Sequence, residues 1–121
     1  MKYTTLYLER QYKFVENDDI FMTFLLLGDE EIIEDLTNYR FRAELTNDAE
    51  EVKLRDATHA EGSDDQIKID GKQLIVHIDK SDTDTFEGDY DFELEMEDSN
   101  GDIFTVAHLE IEFREEIVDW N

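Results

Sequence analysis

Proline and cysteine are both absent from this sequence, and lysine and arginine are scarce. Without cysteine the chain forms no disulfide framework and offers no thiolate for catalysis or metal binding, which favours assembly in a reducing cytoplasm. The longest apolar run, residues 20–27, is interrupted by Thr23 and is too short to span a bilayer. The first residues, MKYTTLYLER, lack the apolar core of a signal peptide. We therefore expect a soluble protein.

The shortage of basic residues also limits the possible partners. Eleven Lys and Arg stand against 34 Asp and Glu, which gives a formal net charge of −23. Residues 81–121 hold fifteen of these acids and a single basic residue, Arg114. Because nucleic acids and anionic membranes are bound through cationic side chains, we expect neither as a partner. The roles that remain for the acids are binding of basic proteins, binding of divalent cations, and solubility alone.

The apolar residues that are present alternate with polar ones, as in strands with one wet face. Tyr90, Phe92, Leu94 and Met96, for example, alternate with acids. The five glycines punctuate such segments. The pattern predicts one domain over residues 1–121, an all-β, antiparallel, immunoglobulin-like β-sandwich of about 7–9 strands. Residues 30–36 are expected to form one helical turn at most. The predicted strands are residues 3–8, 11–15, 19–27, 38–46, 51–56, 66–70, 73–78, 89–97 and 103–114.

The last two strands are predicted to form a hairpin. Asn100-Gly101 suits a two-residue type I′ turn, in which both central residues have positive φ. Such a loop sets the register of the two strands, and it places Phe104 and Val106 on the outer face. The predicted pairs are Phe92 with Leu109, Leu94 with Ala107, Glu93 with His108, Glu95 with Val106, and Glu97 with Phe104.

A catalytic site is not predicted. His59 falls in a polar loop, and His77 and His108 fall on the outer phase of their strands. The serines lie in turn sequences, and none has the G-x-S-x-G setting of a nucleophile elbow. We expect no enzyme activity and no cofactor. No EF-hand loop fits, so we favour solvated turns over metal binding, with a looser calcium site at Asp79, Asp82 and Asp84 as the alternative.

The order of the elements resembles a known family. "FVENDDIFMTFLLLGDEE" has an opening strand, an acidic turn and an apolar strand, and "DLTNYRFRAEL" enters the next strand. Residues 68–113 follow with a hairpin, a D-T-x-x-x-x-G-x-Y corner, a second hairpin turn and a final strand. From about residue 10 to 118, this succession is similar to the immunoglobulin-like N-terminal domain of tailed-phage baseplate upper proteins, which carry receptor-binding proteins at the tail tip. The resemblance implies a small structural protein of a phage or prophage tail.

Three kinds of function remain open. The first, which we favour, is a virion module that is assembled in the bacterial cytoplasm and contacts other tail proteins or itself. The second is an acidic decoy that mimics DNA with the carboxylates of Asp91, Glu93, Glu95 and Glu97, spaced about 7 Å apart along a strand. The third is a calcium-dependent adhesion sandwich. A hydrolase is a remote fourth.

A contact surface is expected where apolar residues occupy the outer phase of a strand, because unpaired acids are costly to bury. The strand "IFMTFLLL" is apolar on both faces. We expect either that the N-terminal segment covers its outer face or that this face meets a partner. The candidate interface residues are Phe21, Leu25, Leu27, Phe104, Val106, Ile117, Val118 and Trp120.

Overall fold

The computed structural model describes residues 1–16, 18–47, 51–53, 57–58, 67–82 and 86–115, and it arranges them in two β-sheets. A short 3₁₀ helix, Lys80–Asp82, follows the ninth strand. The strands are β1 Tyr3–Tyr7, β2 Lys13–Val15, β3 Ile20–Gly28, β4 Glu31–Ile32, β5 Arg40–Thr46, β6 Glu51–Lys53, β7 Ala57–Thr58, β8 Ile67–Asp70, β9 Gln73–Ile78, β10 Gly88–Glu97 and β11 Ile103–Arg114.

Sheet A has the strand order β1-β3-β9-β8, with β4 also paired to β3. Sheet B has the order β2-β11-β10-β5-β6, with β7 also paired to β5. The described pairs are antiparallel except β2 with β11, which is parallel. The prediction of an all-β, antiparallel sandwich is confirmed, whereas its immunoglobulin-like character stays a prediction. Each predicted strand corresponds to an observed one, and the segment expected to make a helical turn contains β4 instead.

The core fills the space between the two sheets, because alternate residues of each strand face inward. On β3 and β10 these residues are Ile20, Met22, Phe24, Leu26, Tyr90, Phe92, Leu94 and Met96, all buried. Phe24 of sheet A and Phe92 of sheet B are fully buried, and their rings stack across the core with centroids 6.0 Å apart. Burial of each such ring contributes about 2–3 kcal/mol.

The turn between β10 and β11 is longer by one residue than predicted. Glu97 pairs with Ile103, and the Asp98 N–H donates to the Asp102 carbonyl at 2.9 Å. Gly101 has φ of 84°, so the loop is a three-residue turn that ends in a left-handed glycine. The carboxylate of Asp98 accepts the N–H groups of Asn100 and Asp102, which favours this turn over the two-residue type.

A bulge in β11 then restores the predicted register. Leu94 pairs with Ala107, as predicted, but Glu95 pairs with Thr105, so Val106 is the extra residue. The prediction that Val106 and Phe104 face outward is therefore wrong. Val106 is 4% exposed and Phe104 is half-buried against the core. The pairs that begin at Leu94 and run toward Gly88 follow the predicted register.

The N-terminal segment joins the two sheets along one side of the sandwich. After β1 pairs with β3, the chain passes Arg10, which has φ of 61°, and β2 adds to β11. The Thr5 hydroxyl donates to the carbonyl of Val106 at 2.7 Å, so the bulge bonds to the opposite sheet. Tyr7 stacks on Phe24 at 5.1 Å, and burial raises the pKa of Tyr7 to about 12. The N-terminal segment therefore lies beside β3 rather than over its outer face.

Core truncation tests this assignment of faces. Phe92→Ala and Phe41→Ala should each lower the free energy of unfolding by about 3–5 kcal/mol, because both rings are buried. The matched control is Phe21→Ala, which removes an exposed ring from β3 in the other sheet and should cost far less in protein dilute enough to be monomeric. Urea denaturation measures all three. Equal losses for Phe21→Ala and Phe92→Ala would contradict the face assignment.

Candidate functional site

The outer face of sheet A is built from rows of side chains that lie side by side on neighbouring strands. The registers align Leu6 with Leu25 and Gln73, and Leu27 with Thr4 and Ile32. Leu8 lies one residue beyond β1, where its N–H donates to the Thr23 carbonyl. We call this surface the sheet A face; it consists of Thr4, Leu6, Leu8, Phe21, Thr23, Leu25, Leu27, Ile32, Lys68, Asp70, Gln73, Ile75 and His77.

Large apolar side chains on this face remain in contact with solvent. Leu6 is 50% exposed and Phe21 is 57% exposed, and Leu8 and Ile32 are exposed as well. Leu25 lies between them and is 8% exposed because its neighbours on both strands cover it. Soluble monomers rarely expose extended apolar surface without a use for it. The sheet A face is therefore the strongest candidate for a contact surface.

Charge is nearly absent from the same face. Within its described strands the formally charged side chains are Lys68 and Asp70, both on the edge strand β8. A chain with 34 acids would carry more on this surface if the acids were spread evenly. The centres of protein interfaces show the same combination, apolar area with few charges.

The outer face of sheet B is the opposite in character. Eight acids whose side chains are described lie on its strands: Glu44, Asp89, Asp91, Glu93, Glu95, Glu97, Glu110 and Glu112. Asp91 lies directly opposite Glu110, and Glu93 lies directly opposite Glu44. Like charges in directly opposed positions lower the stability of a sheet. This face, which we call the sheet B face, is suited to solvent rather than to close contact with another acidic protein.

Basic residues interrupt the acidic row on β10. Arg42 Nε lies 2.7 Å from Glu95 Oε1, and Arg40 lies 3.6 Å from the Glu97 carboxylate. His108 Nε2 lies 3.3 Å from Asp91 Oδ1. Three of the four carboxylates of the predicted DNA-mimic row therefore lie within 3.6 Å of an arginine or histidine nitrogen. A row of phosphate-like charges would need these carboxylates to be available to a cationic partner.

The candidate interface residues from the sequence are divided by the structure. Phe21, Leu25 and Leu27 lie on the sheet A face, although Leu25 is largely covered. Phe104 and Val106 face the core, and the three C-terminal candidates, Ile117, Val118 and Trp120, lie outside the described residues. The sequence reasoning missed Leu6, Leu8, Ile32 and Ile75. The leucines of "TLYL", residues 5–8, are the signal in the sequence that could have indicated them. The alternative in which this segment covers β3 does not lead to a surface formed by both segments side by side.

At one end of the sheet A face, three metal-ligand side chains lie close together. Asp19 and Asp79 lie one position beyond the last β3–β9 pair, and His77 Nε2 is 3.3 Å from Asp19 Oδ1. The Lys80 N–H donates to Asp19 Oδ1 at 2.9 Å. The hydroxyl and N–H of Ser81 donate to Asp79 and lower the pKa of that carboxyl. The Ser81 hydroxyl thus contacts Asp79 rather than His77, so this is not a serine–histidine nucleophile pair.

The alternative calcium site is not described in full. Asp79 is described, the side chain of Asp82 is not, and Asp84 lies outside the described residues. His59 and Ser63 also lie outside them.

No family model matches the chain, and no curated protein matches it. Within the described ranges, no helical segment is both long and apolar enough to cross a membrane.

The charges of the sheet B face give a matched pair of variants. Glu93→Gln should leave the free energy of unfolding unchanged or raise it slightly, because Glu93 faces Glu44. Glu95→Gln should lower it by up to about 1 kcal/mol, because the variant loses a half-exposed ion pair with Arg42. Both are measured by urea denaturation at low salt. A larger loss for Glu93→Gln than for Glu95→Gln would contradict the charge pairing described here.

Proposed function

We propose that this protein is a non-enzymatic assembly module that acts through protein–protein contact, and that its sheet A face binds a second copy of the chain. The observation that carries the proposal is a set of exposed apolar side chains, Leu6, Leu8, Phe21 and Ile32, on one sheet face that also bears Leu25 and Leu27. The rest of the protein is strongly acidic, so this surface is the region that loses least on desolvation.

The distribution of charge favours a second copy as the occupant. Two copies that meet through their sheet A faces hold their sheet B faces on opposite sides of the dimer. With sheets packed about 10 Å apart, the two acidic faces are separated by roughly 30 Å. This distance is several times the Debye length of about 8 Å at physiological ionic strength, so their mutual repulsion is largely screened.

The shape of the face also suits a two-fold contact. A sheet face that bears apolar side chains on neighbouring strands can pack against the same face of a second copy, as an isologous interface requires. Face-to-face packing of two sheets is the arrangement by which the core of the protein is itself formed. On the described strands of this face the charges to be desolvated are Lys68 and Asp70, while the carboxylates of Glu9, Asp19 and Asp79 lie at its border.

We propose a phage or prophage tail as the setting, with the protein located in the virion. The motif order quoted from the sequence supports this setting. The strand orders β1-β3-β9-β8 and β11-β10-β5 support the immunoglobulin-like part of the resemblance, because they correspond to the ABED and GFC sheets of that fold. Tyr90, buried near the start of β10, stands where such sandwiches carry their corner tyrosine.

The DNA-mimic alternative has less support. It depends on the row from Asp91 to Glu97, and Arg40, Arg42 and His108 lie against that row. The two functions also differ in their response to salt. A mimic releases its basic partner as salt rises, whereas apolar self-association between acidic subunits is strengthened by screening.

Sedimentation velocity over a range of protein concentrations tests the proposal. The wild type should form dimers, and the fraction of dimer should rise as NaCl is raised from about 0.01 M, where the Debye length is about 30 Å, to physiological ionic strength. Leu6→Thr combined with Phe21→Thr should shift the protein to monomer, because threonine keeps strand propensity and removes apolar surface. The control is Ile103→Thr, which removes an equally exposed apolar side chain from the sheet B face and should leave the dimer unchanged.

Two results would overturn the proposal. One is a wild type that stays monomeric at every concentration and salt. The other is a dimer that Ile103→Thr dissociates and the double variant does not. Circular dichroism on each variant establishes that the fold is retained, so that a loss of the dimer is not a loss of the fold.

A further inference from the structure

Two aspartates and a histidine meet where β3 begins and β9 ends. Ile20 pairs with Ile78 and Phe21 with His77, so Asp19 and Asp79 come next along the two strands, on the outer side of sheet A. One ligand atom from each of Asp19, His77 and Asp79 lies within 4.8 Å of the other two. Carboxylates that face each other across two strands repel, and a cation between them would remove that cost.

We propose that Asp19, His77 and Asp79 form a binding site for a divalent transition-metal ion of the Zn²⁺ type. The three ligands come from one chain, so the site does not require the proposed dimer in order to form. An ion of charge +2 would balance the two carboxylates and leave positions open for water.

The donor set selects the class of ion. One imidazole nitrogen with two carboxylate oxygens is a set that Zn²⁺ and its first-row neighbours accept. Ca²⁺ takes six to eight oxygen ligands and Mg²⁺ keeps an octahedral oxygen shell, so neither gains from His77. Tetrahedral ligands about 2.0–2.2 Å from Zn²⁺ lie roughly 3.3–3.6 Å from one another. The 3.3 Å between His77 Nε2 and Asp19 Oδ1 meets this spacing, and a ligand atom of Asp79 lies within 4.8 Å of both.

The three side chains are also held in place by groups around them. The imidazole of His77 stacks on the ring of Phe21, with centroids 4.4 Å apart and planes 4° from parallel. The Lys80 N–H orients Asp19, and Ser81 orients Asp79. Partners of this kind fix ligand geometry in metal sites and reduce the entropy lost when the ion binds.

Isothermal titration calorimetry with ZnCl₂ tests the site, on protein freed of metal by chelation. The wild type should bind one Zn²⁺ at this site, and Zn²⁺ should raise the melting temperature while CaCl₂ and MgCl₂ at equal ionic strength do not. His77→Gln and Asp19→Asn should each weaken this binding by more than about tenfold, since even outer partners of a metal site are worth about 10–100-fold.

The control is His108→Gln, on the sheet B face. His108 also lies 3.3 Å from an aspartate, Asp91, but no second described carboxylate completes a three-ligand group there. This variant should bind Zn²⁺ as the wild type does. Binding that survives both His77→Gln and Asp19→Asn, an equal response to Zn²⁺ and Ca²⁺, or no binding at all would each overturn the proposal. A Co²⁺ absorption spectrum that changes in His77→Gln and not in His108→Gln would identify the imidazole ligand directly.

Discussion

Electrostatic repulsion among the carboxylates is the constraint on which the rest of this structure depends. With 34 acids against eleven basic residues, a compact fold concentrates negative charge at its surface. The sandwich accommodates this charge because each strand has one face in the core and one in solvent. Acids on β10 and β11 project outward while Phe92 and Leu94 fill the core. Arg40 and Arg42, from the neighbouring β5, offset part of the charge.

The two outer faces differ because the acids are not spread evenly over them. The sheet B face bears acids and their few basic partners, whereas the sheet A face presents leucine, isoleucine and phenylalanine side chains. One edge strand of each sheet, β1 in sheet A and β2 in sheet B, belongs to the N-terminal segment. This segment crosses between the sheets and closes one side of the sandwich. We infer that the fold separates a solvating face from a contact face, and that the metal site proposed at Asp19, His77 and Asp79 lies at the end of the contact face.

Much of the fold could be predicted from the sequence, because period-two alternation specifies which residues are buried. Tyr90, Phe92, Leu94 and Met96 face the core, as their alternation with acids predicts, and His108 faces outward. The errors arose where the backbone departs from regular pairing. Asn100-Gly101 is compatible with a two-residue turn, but the carboxylate of Asp98 stabilises a longer one. The bulge at Val106 then reverses the phase of Phe104, and no residue type marks that bulge.

The proposed contact surface was only half predictable, for a related reason. Phe21 was recognised because its strand is apolar on both faces. Leu6 and Ile32 were not, because their place beside β3 is set by long-range pairing rather than by local pattern. The cluster of Asp19, His77 and Asp79 likewise depends on the β3–β9 register, which joins residues far apart in the chain.

Hydroxyl-radical footprinting at low and high protein concentration tests the central claim most directly, because it reports which side chains lose contact with water on association. We expect Phe21 and Leu6 to become protected at high concentration, while Ile103, which is 56% exposed on the sheet B face, stays as reactive as before. Protection of Ile103 with Phe21 and Leu6 still reactive would contradict the assignment of the sheet A face as the contact surface.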